Sequence, residues 1–106
     1  MQSFIEEKRE AIVELCRTHY VRRFSVFGSA VRDDFDPERS DVDVRVEFDE
    51  AGAFEHGYAE NYFDLQDKLI HLFGRKVDVV SGLIRNSYFR EEIEKSQVTL
   101  YAAQPR

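Results

Sequence analysis

The chain reads as a small α/β (α+β) protein, a mixed β-sheet flanked by helices, and three observations lead there. Segments with a helical period alternate with short segments rich in β-branched and aromatic residues along all 106 residues. One short segment, 41–48, alternates strictly, with Val42, Val44, Val46 and Phe48 on one side and Asp41, Asp43, Arg45 and Glu47 on the other. A composition of 42% hydrophobic and 34% charged residues describes a folded chain with material for one core, so a single domain over 1–106 is expected.

Taken in order, Ser3-Phe4-Ile5-Glu6 fits a capping box, and Phe4, Ile5, Ile12, Leu15 and Cys16 recur at helical spacing, which predicts a helix over 3–18. Cys16 falls on its apolar stripe, so it reads as packing and not as a reactive thiol. Residues 21–27, V-R-R-F-S-V-F, predict a strand. Gly28-Ser29 follows directly, and 29–35 has the apolar content for two helical turns. Asp36-Pro37-Glu38-Arg39-Ser40 is a turn, and 41–48 is the second strand.

Residues 49–60, with Gly52, His56 and Gly57 among small and polar neighbours, read as a mobile loop. From about 61, Tyr62, Leu65, Leu69, Leu72 and Phe73 form a helical stripe that Gly74-Arg75-Lys76 ends. Residues 76–80 predict a third strand, 87–95 a short helix with Tyr88, Phe89 and Ile93 as its apolar contacts, and 97–102 a last strand before the tail Gln104-Pro105-Arg106.

Charge narrows the function classes. A net charge of −6 has the wrong sign for gripping a nucleic-acid backbone, whereas a nucleotide arriving with its own metal, or a basic protein partner, is compatible with it. No apolar run approaches the roughly 18–20 residues that span a bilayer, and no signal peptide follows Met1, so a cytoplasmic protein is expected. One cysteine and no Cys/His cluster leave no zinc site in view. His56 and His71 read as solvated side chains.

The chemistry concentrates in acidic residues. In a strand, Asp41 and Asp43 leave one face roughly 6.5–7 Å apart, and like charges held that close call for a cation or a proton between them. Asp78 is embedded in Val77-Asp78-Val79-Val80, where an unpaired carboxylate is expensive. If its strand neighbours that of Asp41 and Asp43, three carboxylates can converge on one cation. Gly28-Ser29 at a strand end suits an anion, although any tight strand-to-helix turn favours the same dipeptide.

Gly28-Ser29, the spacer, Asp41-Val42-Asp43 and then Val77-Asp78-Val79-Val80 within the run from Phe73 to Ser81 resemble the minimal nucleotidyltransferases (MNT) of the DNA polymerase β-like superfamily. The resemblance covers about 22–101 and implies that superfamily's fold. It implies AMP transfer from ATP, with Asp41, Asp43 and Asp78 catalytic and holding Mg2+, and with Gly28, Ser29, Arg32 and Ser40 binding the nucleotide. Chains of this kind resemble the antitoxins of HEPN/MNT toxin–antitoxin pairs, in which AMP goes to a tyrosine of the HEPN ribonuclease toxin; the alternative is an antitoxin that neutralises by binding alone. An aminoglycoside-type transferase fits less well, since no second domain is present to hold the drug. Two departures stand out: an 11-residue spacer from Ala30 to Ser40, and Arg45 where the family has an apolar residue. Period two puts Arg45 on the carboxylate face, where it could bind phosphate or compete with a metal for Asp43.

Overall fold

The computed structural model describes residues 1–32, 35–36, 38–82 and 84–103. Strands β1 (Val21–Phe27), β2 (Val42–Phe48), β3 (Val77–Ser81) and β4 (Val98–Ala102) form one sheet in the order β3-β2-β1-β4. β1 is antiparallel to both β2 and β4. β2 and β3 run parallel, because the chain between them crosses over through helices α3 (Glu50–Glu55) and α4 (Tyr58–Phe73). Helices α1 (Ser3–Glu6), α2 (Arg9–Thr18) and α5 (Ser87–Ser96) complete the described elements.

Period two divides the sheet into unlike faces. Val42, Val44 and Val46 of β2 join Phe24 and Val26 of β1 and Leu100 of β4 in the main core. That core is closed by Ile5, Ile12 and Cys16 from α1 and α2, Ala53 from α3, and Leu65, Leu69 and Phe73 from α4. The opposite face carries a second, small cluster of Phe27, Ile84 and Ile93 with Val80 packed against it. α5 therefore lies across only part of that face, and Asp43, Arg45 and Glu47 share the face with it. Among the described residues, no helix is long and apolar enough to cross a membrane.

Four local expectations are corrected. The first helix is two, broken at Glu7-Lys8, and the capping box does not form: Gln2 is the N-cap and makes no side-chain cap bond. Tertiary ties override the local signal, because the Gln2 N–H donates to Ala30 O at 3.0 Å and Phe4 packs on Phe35 and Phe73. The two helical turns over 29–35 shrink to a 3-10 turn, Gly28–Ala30, with N–H donors of Val31 and Arg32 returning to Gly28 O and Ser29 O; residues 33 and 34 lie outside the described residues, as do Pro37 and the tail 104–106.

The expected loop over 49–60 contains α3, and α4 starts at Tyr58 rather than near 61. Gly52 serves packing here, since a Cβ would come within 2.7 Å of the Tyr20 ring, while fully buried Ala53 anchors the turn. In α5 only Ile93 is buried; Tyr88 is 73% exposed and Phe89 44% exposed, because α5 covers too little of the sheet to bury them.

Candidate active site

The register of β2 against β3 sets the geometry. Asp43 lies opposite Asp78 in the parallel ladder, so both carboxylates leave the face that also carries Phe27 and Val80. Burial first, then the nearby charges of Asp78 and Asp41, raise the Asp43 carboxyl above its ordinary value, while Arg32 opposes the shift. Two like charges held this close are costly unless positive charge stands beside them.

The residues around the pair explain its position. Gly28 has φ +73°, and a Cβ there would stand 2.6 Å from Asp43 Oδ2, so glycine is what lets the turn pass beneath that carboxylate. Ser29 follows within the same turn. Lys76 Nζ lies 3.7 Å from Asp41 Oδ2 and 3.9 Å from Asp78 Oδ1, bridging the two flanking acids. Ser40 is engaged elsewhere: its hydroxyl accepts the Asp36 N–H at 2.9 Å and closes the 36–40 turn. Arg45 does not pair with Asp43, and reaches α5 instead, 3.6 Å from Glu94 and 3.4 Å from Gln97.

The structure thus brings Gly28, Arg32, Asp43 and Asp78 together, joins Asp41 to them through Lys76, and leaves the Ser40 hydroxyl in its own turn. Among the described residues no three His, Cys, Asp or Glu side chains stand close enough to cage a metal, Asp41 being turned to Lys76. The donor chemistry still suits a hard divalent cation, because the set is carboxylate oxygen alone and Asp43 stands directly opposite Asp78 in the ladder.

Beside Gly28 runs a groove of about 330 Å³ whose lining includes Phe27, Arg32, Phe89 and Lys95. Sequence reasoning missed this groove, since Phe89 was assigned to packing; its T-shaped contact with Phe27, at 6.4 Å, leaves much of the ring open. A larger cleft of about 580 Å³ opens at the other end of the strands, but Glu47, Asp49 and Glu50 outnumber Arg22 in its lining and disfavour phosphate. Three further residues are structural. His19 is buried, 2.8 Å from Leu15 O and 2.7 Å from Asp64 Oδ2; His56 stacks on Tyr20; and burial pushes the Cys16 thiol up to about 12.

The family described as "Polymerase beta, Nucleotidyltransferase" matches residues 10–106. The provisionally named protein adenylyltransferase MJ0128 of Methanocaldococcus jannaschii is 37% identical over 79 residues, covering 74% of each chain. A solved structure of a provisionally named minimal nucleotidyltransferase superposes with a TM-score of 0.70 at 33% identity, over 89% of this chain and 90% of that one. Two more distant structures share the fold. One is a tri-AMPylated Shewanella oneidensis HEPN toxin with its MNT antitoxin (TM-score 0.60, 17% identity, 93% of this chain and 73% of that one). The other is a toxin–antitoxin complex with AMP-PNP (0.63, 18%, 91% and 74%).

Proposed function

The chain belongs to the polymerase beta nucleotidyltransferase family, and from that premise we propose that it transfers AMP from ATP to a tyrosine hydroxyl of a cognate HEPN ribonuclease toxin, in a Mg2+-dependent reaction that neutralises the toxin. The single observation carrying this reading is the Asp43–Asp78 pair of carboxylates, set in register on adjacent parallel strands beside the Gly28 turn. A structural role alone gives no reason to hold two acids so close.

In the transfer, the acceptor oxygen bonds to the α-phosphorus, the bond from that phosphorus to the oxygen bridging to the β-phosphorus breaks, and pyrophosphate leaves. Asp78 takes the phenolic proton. Arg32 and Lys95 line the groove beside Gly28 and offset phosphate charge, while the open ring of Phe89 offers a stacking surface to the base. Gly28 keeps the backbone low enough for phosphate to approach, with Ser29 and Ser40 on the flanking turns as further nucleotide contacts. Asp41, Asp43 and Asp78 are the residues that would hold Mg2+, which supplies positive charge to the entering and leaving oxygens. In this reading the whole chain acts as one domain in the cytoplasm.

Neutralisation by binding alone is the second reading. One observation favours it: Lys76 already stands within ion-pair distance of Asp41 and Asp78, so the acids have an internal partner. Transfer of label from α-labelled ATP to the co-expressed HEPN protein separates the two. Wild type labels the partner, and the Asp41→Asn, Asp43→Asn double variant does not; full neutralisation by the double variant, with no label moved by wild type, establishes binding alone.

A further inference from the structure

The acidity of this protein is confined to one stretch. Between Arg45 and Lys68 there are seven carboxylates and no lysine or arginine, which exceeds the whole chain's net charge of −6 and leaves the remainder at +1. That stretch folds as the end of β2 with α3 and α4, and it also carries the most exposed phenylalanines, Phe54 at 67% and Phe63 at 62%. Their rings belong to one continuous group. Phe54 stacks on Tyr58 at 5.2 Å, Phe63 meets Tyr62 at 5.3 Å, and Phe48 contacts both tyrosines from beneath. Single exposed aromatics are ordinary, but a contiguous set beside a predominantly acidic surface, with Arg22 among its neighbours, marks a contact surface.

We propose that this acid-rimmed aromatic face of α3 and α4 is where the HEPN acceptor protein docks, through a basic surface with an apolar centre. The assignment rests on the transferase reading above for the partner's identity, and on two observations for the surface. A ribonuclease binds its substrate backbone with Lys and Arg, so it offers the charge that Glu55, Glu60 and their neighbours complement. The face also runs up to the proposed site. Tyr62 donates its phenolic O–H to Val79 O at 2.8 Å, one residue past Asp78, so a partner seated on the aromatics lies against the strand that carries the acceptor-side acid.

The test is binding of a cognate HEPN-domain protein, co-expressed with this chain, measured by calorimetry at low and high salt. The Phe54→Ser, Phe63→Ser variant removes exposed rings, and it is expected to bind the partner at least about tenfold more weakly, as loss of central aromatic anchors does, while binding ATP as wild type does. Should that variant fold poorly, Glu55→Lys with Glu60→Lys, which touches no buried group, is expected to slow association and flatten its salt dependence. Wild-type partner affinity in both variants overturns the proposal, and so does a wild-type homodimer in sedimentation that the phenylalanine variant abolishes, since a second copy then owns the face. The Asp41→Asn, Asp43→Asn variant keeps the outcomes apart: it binds the partner if the surface is right, whether or not transfer occurs.

Discussion

One strand, β2, contributes to both faces of the sheet, and the faces obey opposite rules. Val42, Val44 and Val46 are sealed beneath helices, where any charge is penalised. One residue along, Asp43 faces Asp78 with only partial cover from α5. The sealed face supplies rigidity, and the open face uses that rigidity to hold two like charges in register that would otherwise separate. Stability is thus invested on one side and spent on the other, as expected where chemistry is placed on a regular element.

The comparison breaks most severely if a charge is moved to the wrong face. Val44→Asp, one position from Asp43, buries an unpaired carboxylate in the main core and is expected to cost more than about 4 kcal/mol, read by urea denaturation, enough to leave the chain largely unfolded. Gly28→Ala strikes the seam between the faces. At φ +73° with a contact of 2.6 Å to Asp43, it is expected to cost about 1–2 kcal/mol and to abolish label transfer by displacing that carboxylate.

Asp43→Asn acts in the opposite sense. The folded state raises this carboxyl, so the fold holds its proton more tightly than the unfolded chain does, and stability is lost as pH rises from the unfolded value through the raised one. Without metal, the variant is therefore expected to be more stable than wild type at neutral pH, by roughly 0.5–1 kcal/mol, and to converge with it in acid, while transferring no label. Equal stability at pH 7 would show that the pair carries no strain.

The smallest expected effect lies away from the pair. His19 first, then Lys68, hydrogen-bond Asp64 and hold its carboxyl below the usual range, so its contribution is present above the ordinary aspartate value and fades as pH falls through the lowered one. Asp64→Asn is expected to melt slightly below wild type at neutral pH and to match it in strong acid, as thermal scans at several pH values will report.

How much of this was legible follows from range. β1 was found at its observed bounds because seven consecutive residues carry their own signal, and Asp78 stood out because an acid among valines needs no partner to look odd. What was missed depends on distant contacts. The capping box gave way to Gln2, which bonds to Ala30, Gly52 looked like loop until the Tyr20 ring lay against it, and Lys76 bridges Asp41 and Asp78 only once two strands are parallel. Arg45 was rightly placed on the polar face, but Glu94, its partner, comes from a helix late in the chain. The aromatic face of α4 was hidden for a different reason: a stripe of Tyr and Leu at helical spacing reads as core, and only exposure separates Phe63 from Leu65.

The most direct measurement is to incubate the protein with α-labelled ATP and a cognate HEPN protein, with Mg2+ or with EDTA. The account predicts label on the HEPN protein with Mg2+, none with EDTA, and none from the Asp43→Asn, Asp78→Asn variant under either condition. Label transferred by that variant at the wild-type rate would contradict the assignment of the paired carboxylates as the catalytic centre.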